Sequence, residues 1–182
     1  MGTEVILTVG IFCLVAAGVG IFYLLNKPSK EVAGTSAAAG ESFSLRAAPP
    51  DDGNYKLWVT YHITWTGVDH AYGLEFDLDM EVDGASVFSG RLRMGAAAMT
   101  EEDRAKVVAQ IRAGGKELPE GVISPVRIRS SRGRRNGIRF ERATIALRDL
   151  GPRRAGSRIA VRGTITPAEG TMVNSLYVFL AT

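Results

Sequence analysis

Two stretches of the chain alternate between apolar and polar residues, and this alternation limits the fold more than any other feature. From Tyr55 to Trp65 every second residue is aromatic or aliphatic, and from Leu74 to Val82 every intervening residue is acidic. Successive side chains of a β-strand point to opposite faces, so a period of two indicates strands that are buried on one face. The sequence therefore predicts an antiparallel sheet with one solvated face.

A turn at residues 83–85 predicts the partner of the acidic strand. A three-residue loop places apolar residues opposite apolar ones and arginines opposite acids, whereas a two-residue loop would place Arg91 opposite Phe76. The predicted pairs are Met80 with Phe88, Phe76 with Leu92, Leu74 with Met94, Asp77 with Arg91 and Glu75 with Arg93. The acidic stripe is therefore interpreted as a solvated face with paired arginines, rather than as a cation site.

One helix is predicted between the strands. Thr100 is followed by three acidic residues, and Gly114-Gly115 is a stop signal. An apolar stripe predicts a short amphipathic helix packed over an end or edge of the sheet; it consists of Ala105, Val107, Val108 and Ile111. Further strands are predicted at residues 121–130, 137–147, 157–166 and 175–181. The fold class is thus mainly β, an antiparallel β-sandwich with an open β-barrel as the alternative.

The amino-terminal part of the chain is an apolar run of 21 residues, Val5 to Leu25, without charge or proline. As a helix it would extend about 30 Å, so it predicts a transmembrane anchor behind a short tail, residues 1–4. A cleaved signal peptide is the alternative, but a basic start is missing and the run is too long. Small residues offer close helix packing, although they are common in any spanning helix; they are Gly10, Cys13, Ala16, Ala17, Gly18 and Gly20.

The segment after the anchor predicts topology and domain organisation. Lys27 and Lys30 favour a cytoplasmic location for the domain, with the extracytoplasmic side as the alternative. Residues 26–52 are rich in Ala, Gly, Ser and Pro and predict a flexible linker, in which Ser42 to Leu45 adds a short strand. Residues 53–182 are then the sandwich domain.

Charge is distributed unevenly along the domain. Residues 51–124 hold 7 basic and 13 acidic side chains, whereas residues 125–182 hold 12 arginines and 3 acids. The basic part includes an Asn136-Gly137 turn signal, which places Arg132 opposite Glu141, Val126 opposite Leu147 and Ile128 opposite Ile145. The residues predicted to contact a partner or lipid are Arg132, Arg134, Arg135, Ile138, Arg139 and Phe140.

Four interpretations of this hairpin are open. It is a solvated tip whose charges prevent edge aggregation, a contact for an acidic protein or a second copy of the chain, or a contact for anionic lipid. Nucleic acid fits least, because Phe140 is the only aromatic residue available for base stacking.

Few residues suggest catalysis. The domain has two histidines, His62 and His70, and the single cysteine lies in the apolar run, so no cofactor or metal site is predicted. Asp69-His70 falls in a predicted loop, where a structural or surface role is favoured over catalysis. No small-molecule substrate is evident. The predicted function is a single-pass, membrane-anchored binding module that serves as a scaffold or accessory subunit, with a lipid-contacting domain second and an enzyme third.

Overall fold

The computed structural model describes residues 30–67, 71–112, 120–123 and 129–182. The described residues form nine strands and one helix: β1 (Glu31–Ala37), β2 (Ser42–Ala47), β3 (Gly53–Trp65), β4 (Leu74–Val82), β5 (Ala85–Met94), α1 (Glu101–Arg112), β6 (Arg129–Arg135), β7 (Ile138–Arg153), β8 (Ile159–Pro167) and β9 (Thr171–Ala181). The fold is mainly β with one short helix, which confirms that part of the predicted fold class.

The strands belong to two antiparallel sheets. The five-stranded sheet has the order β1-β9-β3-β7-β6, and the four-stranded sheet has the order β2-β8-β4-β5. Every strand pairing within them is antiparallel. Two separate sheets that share one core make a sandwich-like arrangement, and the alternative of an open barrel is not what the chain adopts.

The hydrophobic core lies between the inner faces of the two sheets. Tyr61 and Ile63 of β3 are fully buried, as are Leu74 and Phe76 of β4. These residues belong to the apolar positions of the two alternating stretches, so the predicted burial pattern is confirmed. The alternation works because each pleated strand presents only every second side chain to the opposing sheet.

The β4–β5 pairing is confirmed, but its loop is one residue shorter than predicted. Phe76 faces Leu92 and Asp77 faces Arg91, while the loop is Asp83-Gly84, with both residues at positive φ (51° and 84°). A bulge lies between the Met80 and Glu81 positions of this ladder. The extra residue restores the register that a two-residue loop alone would have shifted.

The β6–β7 hairpin also has the predicted register. Arg132 faces Glu141, and the turn residues Asn136 and Gly137 have φ values of 50° and 80°. The predicted partners Val126 and Ile128 lie outside the described residues. The strand predicted at 121–130 differs in its described part, because Val122 forms only an isolated bridge with Arg93 and β6 begins at Arg129.

The predicted flexible linker, residues 26–52, is wrong for most of its length. β1 pairs with β9 and β2 pairs with β8, so both strands are parts of the sheets. Phe43 and Leu45 of β2 are buried, which confirms the short strand predicted there. β1 consists mostly of small residues and therefore lacks the alternation that predicts a strand. The Tyr177 ring lies across Gly34, where a Cβ atom would come within 2.1 Å of the phenolic oxygen. The sandwich therefore begins at residue 30 or 31 rather than at residue 53.

Helix α1 begins where the sequence predicts. The Thr100 hydroxyl accepts a hydrogen bond from the Asp103 amide, and the Asp103 carboxylate accepts one from the Thr100 amide, both at 3.1 Å. Two residues of its predicted apolar stripe, however, are uncovered: Ala105 is exposed and Val108 is 45% exposed. The helix is thus not packed over the sheet through that stripe as predicted.

The predicted transmembrane anchor, including its small packing residues, lies outside the described residues. Within the described ranges no helix has the length and apolar character that crossing a bilayer requires.

Candidate functional site

The β6–β7 hairpin divides the six predicted contact residues between two faces. We call this segment, residues 129–142, the arginine hairpin. Arg132 pairs with Glu141 and Arg134 pairs with Arg139, which places these four residues on the face that continues the sandwich core. Arg135 pairs with Ile138, and Phe140 pairs with Gly133, on the opposite face. The structure therefore brings the predicted residues together as two groups of three.

A buried carboxylate fixes the base of the hairpin to the core. Glu141 is fully buried, and its Oε1 accepts a hydrogen bond from the Tyr61 hydroxyl at 2.7 Å. Its Oε2 accepts two hydrogen bonds from Arg132, at 2.9 Å from Nε and 2.5 Å from Nη2. Removing a charge from water is costly unless it is paired and hydrogen-bonded in this way. Arg132 is thus committed to an internal ion pair.

Arg139 is also engaged within the chain. Its Nε donates a hydrogen bond to the Gly67 carbonyl oxygen at 2.8 Å, which ties the second strand of the hairpin to the end of β3. Two of the predicted contact residues, Arg132 and Arg139, are therefore positioning residues that hold the hairpin in place. They are not free surface cations.

The opposite face forms a shallow groove of about 410 Å³, which we call the hairpin groove. It is lined by His62, Thr64, Arg135, Asn136, Ile138 and Phe140. Ile138 is 44% exposed. The Phe140 ring lies over Gly133, where a Cβ atom would come within 2.4 Å of Phe140 Cζ. The missing side chain at residue 133 is thus what allows the aromatic ring to form one wall.

Two groove residues, His62 and Thr64, were not predicted as site residues. They occupy polar positions of the β3 alternation, on the sheet face away from the core. Their proximity to the hairpin follows from the β3–β7 register, in which Thr64 faces Phe140. That register could be foreseen only if β7 were known to pair with β3, which the sequence did not indicate.

Three exposed arginines of the hairpin have no carboxylate within ion-pair distance among the described residues; they are Arg134, Arg135 and Arg142. The acidic stripe on β4 differs at Glu75 and Asp77, whose charges are met by arginines of β5 as predicted. Arg91 Nε lies 2.8 Å from Asp77 Oδ1, and Arg91 Nη1 lies 3.2 Å from Glu75 Oε2. The uncompensated charge of the hairpin is therefore positive, beside an apolar groove.

The hairpin and the start of the described chain lie at opposite ends of the sandwich. Lys30 Nζ lies 2.7 Å from Asp51 Oδ2, close to the beginning of β3 at Gly53. Trp65, at the other end of β3, faces Arg139 of the hairpin. β3 has 13 residues, which corresponds to about 40 Å along the strand.

Other sequence-based candidates lie outside the described residues, namely Asp69 and His70. No protein-family model matches the sequence, and no curated protein matches it either.

Proposed function

We propose that the chain is a single-pass membrane protein whose sandwich is a binding module, and that the arginine hairpin binds an acidic protein partner. The anchor is the apolar run of residues 5–25, and the sandwich follows it after a tether of about five residues. The module serves a membrane assembly as a scaffold or accessory subunit. The observation that carries the proposal is the group of exposed, uncompensated arginines on the hairpin, of which Arg135 lines the hairpin groove.

The shape of the hairpin supports a protein partner. Ile138 and Phe140 offer apolar area, with Arg135 beside them in the groove and Arg142 on the same face of the strand. Arg134 adds positive charge on the other face of the hairpin. Protein interfaces combine an apolar centre with a polar rim and favour aromatic residues and arginine. A positive rim favours a partner with exposed Asp and Glu residues, through complementary potential and faster association.

The position of the hairpin also supports a protein partner rather than anionic lipid. The short tether leaves the Lys30 end of the sandwich near the proposed anchor, whereas the hairpin pairs with the far end of β3. A surface directed away from the bilayer is suited to a protein of the same assembly. A second copy of this chain is one such partner, and its identification is an outcome of the experiment.

Site-specific photo-cross-linking in native membranes tests the proposal. A photoreactive amino acid replaces Arg135 at the groove and, as a matched control, Ser44, which is exposed on the outer face of the four-stranded sheet. We expect a protein adduct from position 135 and none from position 44. The adduct should be lost when Arg134 and Arg142 are changed to Glu, because the acidic partner is then repelled.

The chemical identity of the cross-linked adduct distinguishes a protein partner from lipid. A lipid adduct at position 135, or equal protein adducts at both positions, would contradict the proposed partner class. The anchor is tested separately: the full-length chain should remain in the membrane pellet after alkaline carbonate washing. Release into the supernatant would contradict the proposed topology.

A further inference from the structure

A second basic surface lies at the end of the sandwich opposite the arginine hairpin. It is a pocket of about 550 Å³ on the outer side of the four-stranded sheet, and we call it the anchor-end pocket. Three arginines from two segments line it, Arg46 of β2 and, on the other segment, Arg158 just before β8 and Arg162 within β8. Ala160 faces both Arg46 and Glu81 across the sheet, and its small side chain leaves space between them.

The positive charge of this pocket is not neutralised internally. In the described ranges no carboxylate lies within ion-pair distance of Arg46, Arg158 or Arg162. Glu81 is the one acidic residue among the lining residues. The nearby Asp83 accepts a hydrogen bond from the Arg158 backbone amide at 2.8 Å. Three guanidinium groups thus share the pocket with one carboxylate.

Asp79 is the other acidic group that faces the pocket arginines across the sheet. It stands opposite Arg162, and its Oδ1 accepts a hydrogen bond from the Ser89 hydroxyl at 2.5 Å. No ion pair joins Asp79 to Arg162 among the described residues, so this carboxylate leaves the charge of the pocket in place.

The donor set matches a phosphate group. Each guanidinium presents a planar array of N–H donors that binds oxyanions in a bidentate manner and always carries its charge. A phosphate offers several acceptor oxygens, which more than one arginine can engage simultaneously. Arginines that come together from β2 and from the β8 segment, with Glu81 as the one lining carboxylate and no ion pair to it, are suited to such an anion.

The location of the pocket points to the source of the phosphate. Ala47, at the end of β2, faces Ile159, and the Gly156 amide donates to the Pro49 carbonyl oxygen nearby. Asp52, next to the Lys30 partner Asp51, accepts a hydrogen bond from the Ala155 amide at 2.7 Å. The pocket is therefore at the Lys30 end. From Leu25 to Lys30 the chain reaches at most about 17 Å, which keeps this end near the headgroups.

We propose that the anchor-end pocket binds a phosphate group, supplied by an anionic lipid headgroup. The choice of lipid rests on the proposed membrane anchor, whereas the phosphate chemistry rests on the three arginines alone. The pocket would fix the orientation of the sandwich on the bilayer, with the arginine hairpin directed away from it. Anionic lipid is thus assigned to this end and not to the hairpin.

NMR of arginine side chains in the purified full-length chain tests this inference. The chain is placed in phosphatidylcholine nanodiscs, with either inorganic phosphate or phosphatidic acid added, and the Nε resonances are recorded. We expect saturable shifts for Arg46, Arg158 and Arg162, and none for Arg134 and Arg135. The variant R46Q should weaken binding about tenfold or more, whereas R104Q, which removes the same charge from α1, should not.

The two additions distinguish the sources. Shifts with phosphatidic acid at a few lipids per nanodisc support the headgroup, and shifts with inorganic phosphate alone support a phosphate pocket that serves a dissolved ligand. No saturable shift with either addition, or equal shifts in the hairpin arginines, would overturn the inference. Cross-linking from position 135 is independent of this result, so the hairpin proposal and the pocket proposal fail separately.

Discussion

Glu141 is buried, yet its hydrogen bonds hold the exposed arginine hairpin in position. The fully buried carboxylate is held by Tyr61 from β3 and Arg132 from β6. The sequence predicted the Arg132–Glu141 pairing from the Asn-Gly turn, but not the burial of Glu141. Tyr61 was predicted as core, and its hydroxyl partner could not be foreseen because the β3–β7 pairing was unknown.

Removing one charged partner from this cluster should lower the stability of the domain. We expect R132A to lower the free energy of unfolding by about 3 kcal/mol, because it leaves a buried carboxylate without its counter-charge. The double variant R132M/E141L should recover most of that loss, since it removes both charges together. Urea unfolding measures both, and R134A, which removes an exposed arginine, should change stability by less than about 0.5 kcal/mol. An equal loss for R132A and R134A would contradict the assigned role of Glu141.

A second residue-scale prediction concerns Gly133. In G133A the new Cβ would lie 2.4 Å from Phe140 Cζ and 2.7 Å from Cε1, so the ring must swing away. Because the ring is half-buried, we expect a stability loss of only about 1 kcal/mol but a reshaped hairpin groove. Phe140 side-chain NMR shifts and the cross-link yield from position 135 report the change. G90A is the matched control, since its Cβ meets nothing closer than 3.5 Å; unchanged Phe140 shifts in G133A would contradict the assigned ring position.

At the scale of elements, the β4–β5 hairpin shows what pattern can and cannot predict. Matching the chemical character of facing residues predicted the pairs distant from the turn, such as Phe76 with Leu92. It could not distinguish a three-residue loop from a two-residue loop followed by a bulge, because both give the same register beyond Met80. The element and its pairing were thus predictable, and the local backbone was not.

Helix α1 offers an element-scale prediction with a pH dependence. Hydrogen bonding from Thr100, with a smaller contribution from Arg93, lowers the pKa of Asp103 below its ordinary value of 3.8. A carboxyl whose pKa is lower in the folded state stabilises that state above its ordinary pKa. This contribution is lost as the pH falls through the lowered value, so the start of α1 should loosen below about pH 4.

NMR Cα shifts of the first turn of α1, followed from pH 6 to pH 2, measure this loosening. D103N should remove most of the acid-induced change, because an amide does not titrate in this range. E101Q, an exposed residue of the same turn, is the control and should retain the change. An acid transition in D103N as large as that of the parent chain would show that another group governs the start of the helix.

At the scale of the whole molecule, β1 and β2 change the domain boundary. β1 is an edge strand of the five-stranded sheet, β2 is an edge strand of the other, and Phe43 and Leu45 contribute to the core. The core of β3 and β4 was predictable because their alternation is strong. β1 was missed because Ala, Gly, Ser and Thr carry little hydrophobic signal. An edge strand can nevertheless form with little hydrophobic character.

Truncation tests this boundary. Burial of Phe43 and Leu45 contributes roughly 5 kcal/mol by area, a large share of the stability of an ordinary domain. We therefore expect residues 53–182 alone to be unfolded or to unfold at much lower urea concentration than residues 30–182. Equal urea midpoints would contradict the inclusion of β1 and β2 in the domain. In the proposed topology, the shorter tether would hold the anchor-end pocket near the bilayer and the arginine hairpin away from it.

Arginine footprinting tests the central claim most directly. Phenylglyoxal modification is quantified by mass spectrometry for the chain in its native membranes and for the purified chain in phosphatidylcholine nanodiscs. Arg134, Arg135 and Arg142 should react readily in the nanodiscs and at least several-fold less in native membranes, where the proposed acidic partner would cover them. Arg104 on α1 should react equally in both. Equal reactivity of the hairpin arginines in the two preparations would contradict the account.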